Sequence, residues 1–157
     1  MAKPSGIIGV DHVAIATARI EQAERHYGEL FGATVLFRGT TVRGVWAAID
    51  GDPGWDEIKR RGITVDSAFL RAGPLTIALL DEPGGKTGPI NHVGLGCSDA
   101  EVRRIGEAAR RLGLRFLEEG LEGFKILDVF GVTWEISRGM DVKPPAKRLD
   151  LTTGRID

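Results

Sequence analysis

Two histidines stand at equivalent places in a stretch that the chain contains twice. The first copy covers residues 9–17, the second covers residues 89–97, and an offset of eighty residues places His12 on His92. Both copies alternate like a β-strand, in which successive side chains face opposite sides. Each histidine therefore shares its face with alanine or glycine, which leaves room beside the ring. Imidazole rings transfer protons and bind metal ions near neutral pH, so this pair is the first candidate for chemistry.

A carboxylate joins the two histidines through a second repeated strand. Residues 75–79 align with residues 132–136, and Glu135 occupies the place that Ala78 takes in the earlier copy. An acidic residue that alternates with apolar ones is unusual in a core strand. We therefore predict that Glu135 faces the same side as the two histidines.

A structural role for these residues is the simplest alternative. A single histidine on a strand more often packs than binds a metal ion. Two histidines at equivalent repeat positions, with a glutamate on a closing strand, make coincidence much less probable than metal binding. A protein that keeps these residues and binds only an organic ligand stays open. His26 is interpreted as a packing or surface residue, and Asp11 and Asn91 as strand-edge hydrogen-bonding residues.

The composition is that of a globular chain. It has 157 residues, a net charge of −1 and 42% hydrophobic residues, which suits one domain or two small halves that share a core. No basic footprint indicates nucleic-acid binding. No apolar run could span a membrane, and the N-terminus lacks an apolar signal core. The single cysteine, Cys97, fits a reducing compartment, so we expect a cytoplasmic protein.

The predicted elements follow one order in each half. In the first half, strands are predicted over residues 7–16, 33–42, 64–72 and 75–82, with a helix over residues 18–31 that ends at Gly32. In the second half, strands are predicted over residues 89–97, 124–129 and 132–137, with a strand and turn over residues 115–123. The helix between its first two strands begins after Ser98, which has the capping-box spacing to Glu101. Residues 43–63 are less regular, with a short helix or flap over residues 55–61.

These elements predict an α+β fold of two βαβββ modules with mainly antiparallel strands. The predicted divisions are a first module at 1–83, a linker at 84–88, a second module at 89–140 and a C-terminal tail at 141–157. The tail is polar and shows no clear period.

The paired modules, each opening on a His-Val strand, resemble the vicinal oxygen chelate superfamily. That superfamily includes glyoxalase I, methylmalonyl-CoA epimerase, fosfomycin-resistance proteins, extradiol dioxygenases and bleomycin-binding proteins. The resemblance covers about residues 6–140 and rests on the segments 11–13, 27–32, 91–93 and 127–135. The last segment is similar to the family's Asp-Pro-x-Gly turn before its metal-binding glutamate, with Val129 in place of the proline. The resemblance implies a cup-shaped sheet with a metal ion on its floor, and a homodimer.

By the resemblance, the metal positions fall on His12, Ala78, His92 and Glu135. Members of the glyoxalase and epimerase type usually have Glu or Gln where this chain has Ala78, which cannot ligate. The two imidazoles and one carboxylate that remain suit Fe(II), Mn(II), Co(II), Ni(II) or Zn(II). They leave coordination positions open for a substrate that chelates through two oxygens.

Glu135 and Lys125 are the candidate catalytic residues. Lys125 lies on the strand before the closing one, near a position where related enzymes often place a tyrosine. It is predicted to pair with an anionic substrate oxygen, or to act as a base if desolvation lowers its pKa. A solvated surface lysine is the alternative. Arg43, Trp46 and Trp55 are candidates for the rim of the cup or for ordinary loop packing.

The resemblance implies a metal-dependent lyase or isomerase that acts on a small oxygen-rich molecule through a metal-stabilised enolate. An Fe(II) dioxygenase of the same fold is one alternative. Ring cleavage normally uses a further histidine, and His26, the one left, is on a predicted helix. A non-catalytic small-molecule binder of the bleomycin-resistance type is the other alternative.

Overall fold

The computed structural model describes residues 6–81, 90–127, 129, 133–140 and 144–157. The helices and strands are, in chain order, β1 (Ile7–Ala16), α1 (Ile20–Phe31), β2 (Thr34–Val42), β3 (Val45–Ile49), α2 (Trp55–Arg60), β4 (Ser67–Ala72), β5 (Leu75–Leu80), β6 (Ile90–Cys97), α3 (Asp99–Arg111), β7 (Arg115–Glu119), β8 (Gly123–Leu127), β9 (Thr133–Arg138), β10 (Arg148–Asp150) and β11 (Arg155–Ile156). The predicted α+β fold is confirmed. The predicted linker and most of the turn at 128–132 lie outside the described residues, and the module boundaries and the cup stay predictions.

The contacts divide the chain into two compact units. The first unit consists of Met1–Ala14 and Ile90–Val142, and the second of Ile15–Pro89 and Lys143–Asp157. Strand β1 is thus grouped mainly with the second half of the sequence. This grouping differs from the division that the repeat predicts, and it places both repeated histidines in the first unit.

The first unit is a sheet with α3 packed on one side. Its strands are ordered β1-β6-β9-β8-β7. Strands β6 and β9 run parallel, whereas β8 runs antiparallel to β9 and to β7. The core between α3 and the sheet contains Cys97, Val102 and Ile136, with Trp134 packed against it. These apolar side chains occupy one face of β9, so Glu135 points to the opposite face.

Helix α3 begins where the sequence predicts. The hydroxyl of Ser98 accepts a hydrogen bond from the backbone N–H of Glu101 at 3.3 Å, which satisfies a donor that the first turn would otherwise leave unpaired. The Glu101 side chain pairs with Arg104 at 2.6 Å.

The second unit has the strand order β11-β10-β3-β2-β4-β5. Pairing is antiparallel between β2 and β3, β2 and β4, and β4 and β5. Helix α1 covers one face of this sheet through the core residue Ile20, which clusters with Leu70, Ile77 and Leu79. The helix ends at Gly32, as predicted, with a left-handed φ of 64° that glycine adopts without a Cβ penalty.

The stretch that the sequence left irregular contains an additional strand and a short helix. Strand β3 forms a hairpin with β2 through Arg43 and Gly44, whose φ angles are 51° and 77°. Positive φ at both central residues is the geometry of a type I′ turn, whose twist matches that of the two strands. The first central residue of such a turn is usually Asn, Asp or Gly, so Arg43 gave no sequence signal for a hairpin here. The first half therefore has four strands after α1 and before the linker, not the three that were predicted.

The C-terminal segment also forms strands. Strand β10 runs parallel to β3, with Arg148 paired with Ala48 and Leu149 paired with Ile49, and β11 folds back on β10. Leu149 is buried in this pairing. Strands of three and two residues are too short for their side chains to show a period, which explains why the sequence predicted none.

A buried arginine joins α1, β2 and the turn before α2 in the second unit. Arg38 is 7% exposed. Its guanidinium donates to both carboxylate oxygens of Glu24 at 2.9 and 2.6 Å, to Asp52 at 2.8 Å and to the carbonyl of Pro53 at 3.0 Å. Burial alone lowers the pKa of Arg38, but the bonds and charges of Glu24 and Asp52 outweigh it and raise the pKa. The arginine therefore stays charged.

In the part of the chain that the structure describes, no helix is long and apolar enough to cross a membrane.

Candidate metal centre

Three side chains of the first unit converge on one point. They are His12 on β1, His92 on β6 and Glu135 on β9, three strands that lie side by side. His12 Nε2 lies 2.8 Å from His92 Nε2. Glu135 Oε2 lies 2.9 Å from His92 Nε2 and 3.7 Å from His12 Nε2. The structure therefore brings together the three residues that the sequence predicted as ligands.

Both rings are held by the residue that precedes them in the chain. His12 Nδ1 lies 3.1 Å from Asp11 Oδ2, and His92 Nδ1 lies 2.7 Å from Asn91 Oδ1. A carboxylate oxygen or an amide oxygen can only accept, so each Nδ1 carries the proton and donates it. The sequence had assigned Asp11 and Asn91 to strand-edge bonding. Their shared place before each repeated histidine was the signal for their contact with the rings.

The donor set fits a divalent metal ion. Once each Nδ1 carries the proton of a neutral ring, both Nε2 atoms present lone pairs to each other and to the Glu135 carboxylate. Three acceptors at 2.8–3.7 Å repel one another unless a cation lies among them. Two ligand atoms about 2.1 Å from a common ion, at angles of about 90–109°, are separated by about 3.0–3.4 Å. The observed spacings bracket that range, and imidazole with carboxylate suits several first-row metals.

Glu135 is held as an anion. Its side chain is 28% exposed, and burial alone would raise its pKa. The contact with His92, whose Nε2 donates when a proton takes the place of a metal ion, and the positive charge of Lys125 outweigh burial and lower the pKa of Glu135 to about 2. An ionised carboxylate is the form that binds a cation.

Lys125 lies beside this carboxylate. Its Nζ is 3.0 Å from Glu118 Oε2 and 3.5 Å from Glu135 Oε2. Burial alone lowers the pKa of Lys125, but the two carboxylates outweigh it and raise the pKa. Of the two roles that the sequence left open, the geometry favours the charged partner of an anionic oxygen over the neutral base.

A pocket opens next to Glu135 and Lys125 within the first unit. Its volume is about 570 Å³, which is large enough for a small metabolite. Its walls are the β7–β8 hairpin, residues 118–125, and residues 135–137 of β9. One candidate ligand and one candidate cation therefore line the same cavity.

Comparison with known protein families identifies the fold. The sequence model of the Glyoxalase/Bleomycin resistance protein/Dioxygenase superfamily matches residues 9–136. The chain belongs to this superfamily. The match includes His12, His92 and Glu135. No curated protein sequence matches the chain.

Solved structures of this superfamily's fold are similar to the chain at low sequence identity. Methylmalonyl-CoA epimerase from Mycobacterium tuberculosis is 19% identical with a TM-score of 0.54, over 90% of this chain and 94% of that one. The 2,3-dioxygenase LapB from Pseudomonas sp. KL28 is 17% identical with a TM-score of 0.59, over 88% and 45%. The Mn(II)-bound glyoxalase from Novosphingobium aromaticivorans is 12% identical with a TM-score of 0.58, over 91% and 44%. The chain thus spans less than half of the last two proteins, and the likeness shows a shared fold.

The other residues that the sequence singled out have local roles. Ala78 is buried in β5, opposite Phe69. His26 is exposed on α1 and stands edge-on to Tyr27.

Trp46 donates to the Ser67 hydroxyl at 3.0 Å. Trp55 packs against the core under α1 and donates to Glu24, and Arg43 forms the β2–β3 turn. Whether Ala78 marks a vacant position at the superfamily's metal stays a prediction of the repeat.

The absence of a side chain at Gly94 leaves the space that the His12 ring occupies. The sequence predicted space beside each histidine but did not indicate that Gly94 of one strand accommodates the ring from the other. A Cβ at position 94 would lie 2.5 Å from His12 Cε1 and 2.6 Å from Nδ1, well inside van der Waals contact. Gly94→Ala should therefore displace the ring from Asp11 and weaken metal binding about 10–100-fold, the usual cost of disturbing a ligand's support. Titration with Co(II) measures the change.

Gly28→Ala is the matched control for this substitution. A Cβ there would approach nothing closer than 3.6 Å, so metal affinity should stay at the wild-type value. Equal affinities for the two variants would show that Gly94 does not position His12.

Proposed function

We propose that this chain is a divalent-metal-dependent enzyme, a lyase or isomerase that acts on a small oxygen-rich metabolite. The observation that carries the proposal is the convergence of two imidazole nitrogens and one carboxylate oxygen beside a pocket. A divalent ion held by these atoms supplies Lewis-acid polarisation of a substrate oxygen and so stabilises the charge of an enolate.

In this proposal, Lys125 and Glu135 have different catalytic roles. The Lys125 ammonium lies 3.5 Å from Glu135 and lines the same cavity, so it faces negative charge that develops on the substrate. Glu135 is assigned two roles, as a ligand and as the acceptor of a proton. As that proton passes from the carbon next to a substrate carbonyl to Glu135, the C–H bonding pair forms the enolate. The hydroxyl proton then moves to the former carbonyl oxygen, and the proton on Glu135 returns to the neighbouring carbon, which completes an isomerisation.

The walls of the pocket indicate the substrate's charge. Glu118, Glu119 and Glu122 line it together with Lys125. With Glu135 they make four carboxylates against the Lys125 ammonium and the Arg110 guanidinium, which pairs with Glu119 at 2.6 Å. The wall is therefore negative and repels a polyanion, and the Lys125 ammonium can match one anionic oxygen. We therefore propose a neutral or singly charged hydroxycarbonyl compound over a phosphonate or polyphosphate.

The experiment combines metal loading with a substrate panel. Protein freed of metal is reconstituted separately with Mn(II), Fe(II), Co(II), Ni(II) and Zn(II) and incubated in D₂O with hydroxyketones, hemithioacetals and acyl thioesters. The proposal expects metal-dependent deuterium uptake at the carbon next to the carbonyl, measured by NMR, and its loss on Glu135→Gln. His26→Ala is the matched control and should keep the exchange.

The alternatives give different results in the same assay. Oxygen uptake with Fe(II) and a catechol, without deuterium exchange, would replace the proposal with a dioxygenase. Tight binding of an organic ligand by protein that binds no metal ion would replace it with a binding protein of the bleomycin-resistance type. Cytoplasmic location and homodimerisation stay expectations from the sequence.

A further inference from the structure

The two candidate imidazole ligands are supported by chemically different partners. Residues 11 and 91 occupy the same position of the internal repeat, one before each histidine. The contact is made in both copies, at 3.1 Å from His12 Nδ1 and 2.7 Å from His92 Nδ1. In one copy the acceptor is a carboxylate, and in the other it is a neutral amide.

The direction of these hydrogen bonds sets the direction of the lone pairs. An acceptor at Nδ1 keeps the ring proton on that atom, which leaves Nε2 as the nitrogen able to bind a cation. Both Nε2 atoms face the common centre, 2.8 Å apart. The partners therefore act on both the tautomer and the orientation of each ring.

The Asp11 carboxylate is buried and only partly hydrogen-bonded, so a positive charge nearby would stabilise it. Asp11 is 8% exposed, and within the described part of the chain its Oδ1 atom has no hydrogen-bond partner. A buried carboxylate is costly unless a cation compensates it. The His12 ring connects this carboxylate to the point where three acceptors meet, so a cation there compensates Asp11 through the ring. An asparagine at position 11 would supply the same acceptor without the charge.

We propose that Asp11 and Asn91 are positioning residues of the metal centre, and that the Asp11 carboxylate makes His12 the stronger of the two imidazole ligands. The proposal rests on the metal centre proposed above. The Asp11 contact, at 3.1 Å, is longer than the Asn91 contact, at 2.7 Å, so the difference between the rings comes from the carboxylate's charge and not from a shorter bond. That negative charge beside Nδ1–H increases electron density at Nε2 more than a neutral amide oxygen does. His12 and His92 thus occupy equivalent positions of the repeat but differ in strength as metal ligands.

The test uses Co(II), whose unpaired electrons shift the proton resonances of its ligands. Wild-type protein should show two shifted, exchangeable Nδ1–H signals, with the His12 signal exchanging more slowly with water. Asp11→Ala should weaken Co(II) binding about 10–100-fold, as the loss of a ligand's hydrogen-bond partner usually does, and should broaden that signal. Asp11→Asn, which keeps the acceptor, should retain the signal but lose its slow exchange and bind about tenfold more weakly.

The swapped variant Asp11→Asn with Asn91→Asp is the matched control, because it keeps the same side chains and the same total charge. It should restore Co(II) affinity to within a few-fold of the wild type, while slow exchange moves to the His92 signal. A purely structural role for Asp11 predicts no such transfer.

The outcomes separate this inference from the proposed function. If wild-type protein binds no Co(II), the metal centre itself is wrong. If it binds Co(II) while Asp11→Asn and the swapped variant leave affinity and both exchange rates unchanged, the metal centre stands and the unequal support of its ligands is wrong.

Discussion

Replacing His92 by alanine is expected to abolish tight metal binding. The substitution removes one of the three donor atoms that converge in the first unit. The remaining pair, His12 Nε2 and Glu135 Oε2, lies 3.7 Å apart and offers an ion two bonds. Because the loss of a ligand's hydrogen-bond partner alone costs 10–100-fold, the loss of the ligand should cost more than about 100-fold in affinity. Competition with a chromophoric chelator for Zn(II) or Co(II) measures it.

His26→Ala is the control for this experiment. His26 is exposed on α1 and contacts the Tyr27 ring edge-on, so its removal should leave metal affinity unchanged. Circular dichroism of both metal-free variants shows whether each keeps the fold. A folded His92→Ala protein with affinity within tenfold of the wild type would mean that the ion, if bound, lies elsewhere.

Replacing Arg38 by alanine is expected to cost about 3–5 kcal/mol of unfolding free energy, the usual result of removing one partner from a buried ion pair. Glu24 would keep its carboxylate in a site that is 14% exposed, with the Trp55 indole N–H as a remaining donor. The Arg38 guanidinium also lies 5.2 Å from the Trp55 ring centre, so an aromatic contact is lost as well. Urea denaturation at 25 °C provides the measurement.

Two further variants distinguish burial from charge in this cluster. Arg25→Ala removes a largely exposed arginine whose carboxylate partner is 3.5 Å away, and should change stability by less than about 0.5 kcal/mol. The double variant Arg38→Met with Glu24→Leu removes both charges and should be less destabilised than Arg38→Ala, because no carboxylate stays buried alone. Equal losses for Arg25→Ala and Arg38→Ala would contradict a stabilising role for the buried cluster.

The candidate ligands could be predicted from the sequence because they follow simple periods. An offset of eighty residues paired the histidines, and alternation along one strand placed Glu135 on the face opposite Trp134. Side chains two apart on a strand share a face, so Gly94 was correctly placed on the face of β6 that carries His92 and leaves space for a ring. The resemblance to the superfamily added the expectation that these faces meet.

The supporting contacts could not be predicted by the same rule. Asp11 and His12 are adjacent on β1, and adjacent side chains of a strand point to opposite faces. Alternation therefore gave no reason to expect the 3.1 Å contact between them. Which ring Gly94 accommodates depends on how β1 lies against β6, and one sequence does not state that register.

The missed strands have a different cause. Strand β3 follows a turn at Arg43, whose positive φ of 51° is uncommon for a residue other than glycine, asparagine or aspartate. Strand β10 is formed by pairing with β3, which lies about a hundred residues earlier in the chain. Tertiary pairing, and not local preference, determines both elements.

The most direct measurement of the central claim is anomalous diffraction from crystals grown with Co(II) and without added chelator. We expect one strong anomalous peak, about 2.0–2.3 Å from His12 Nε2, His92 Nε2 and a Glu135 carboxylate oxygen. The same crystals of His92→Ala should lack that peak. A peak at another site, or no peak while the three side chains remain 2.8–3.7 Å apart, would contradict the metal centre.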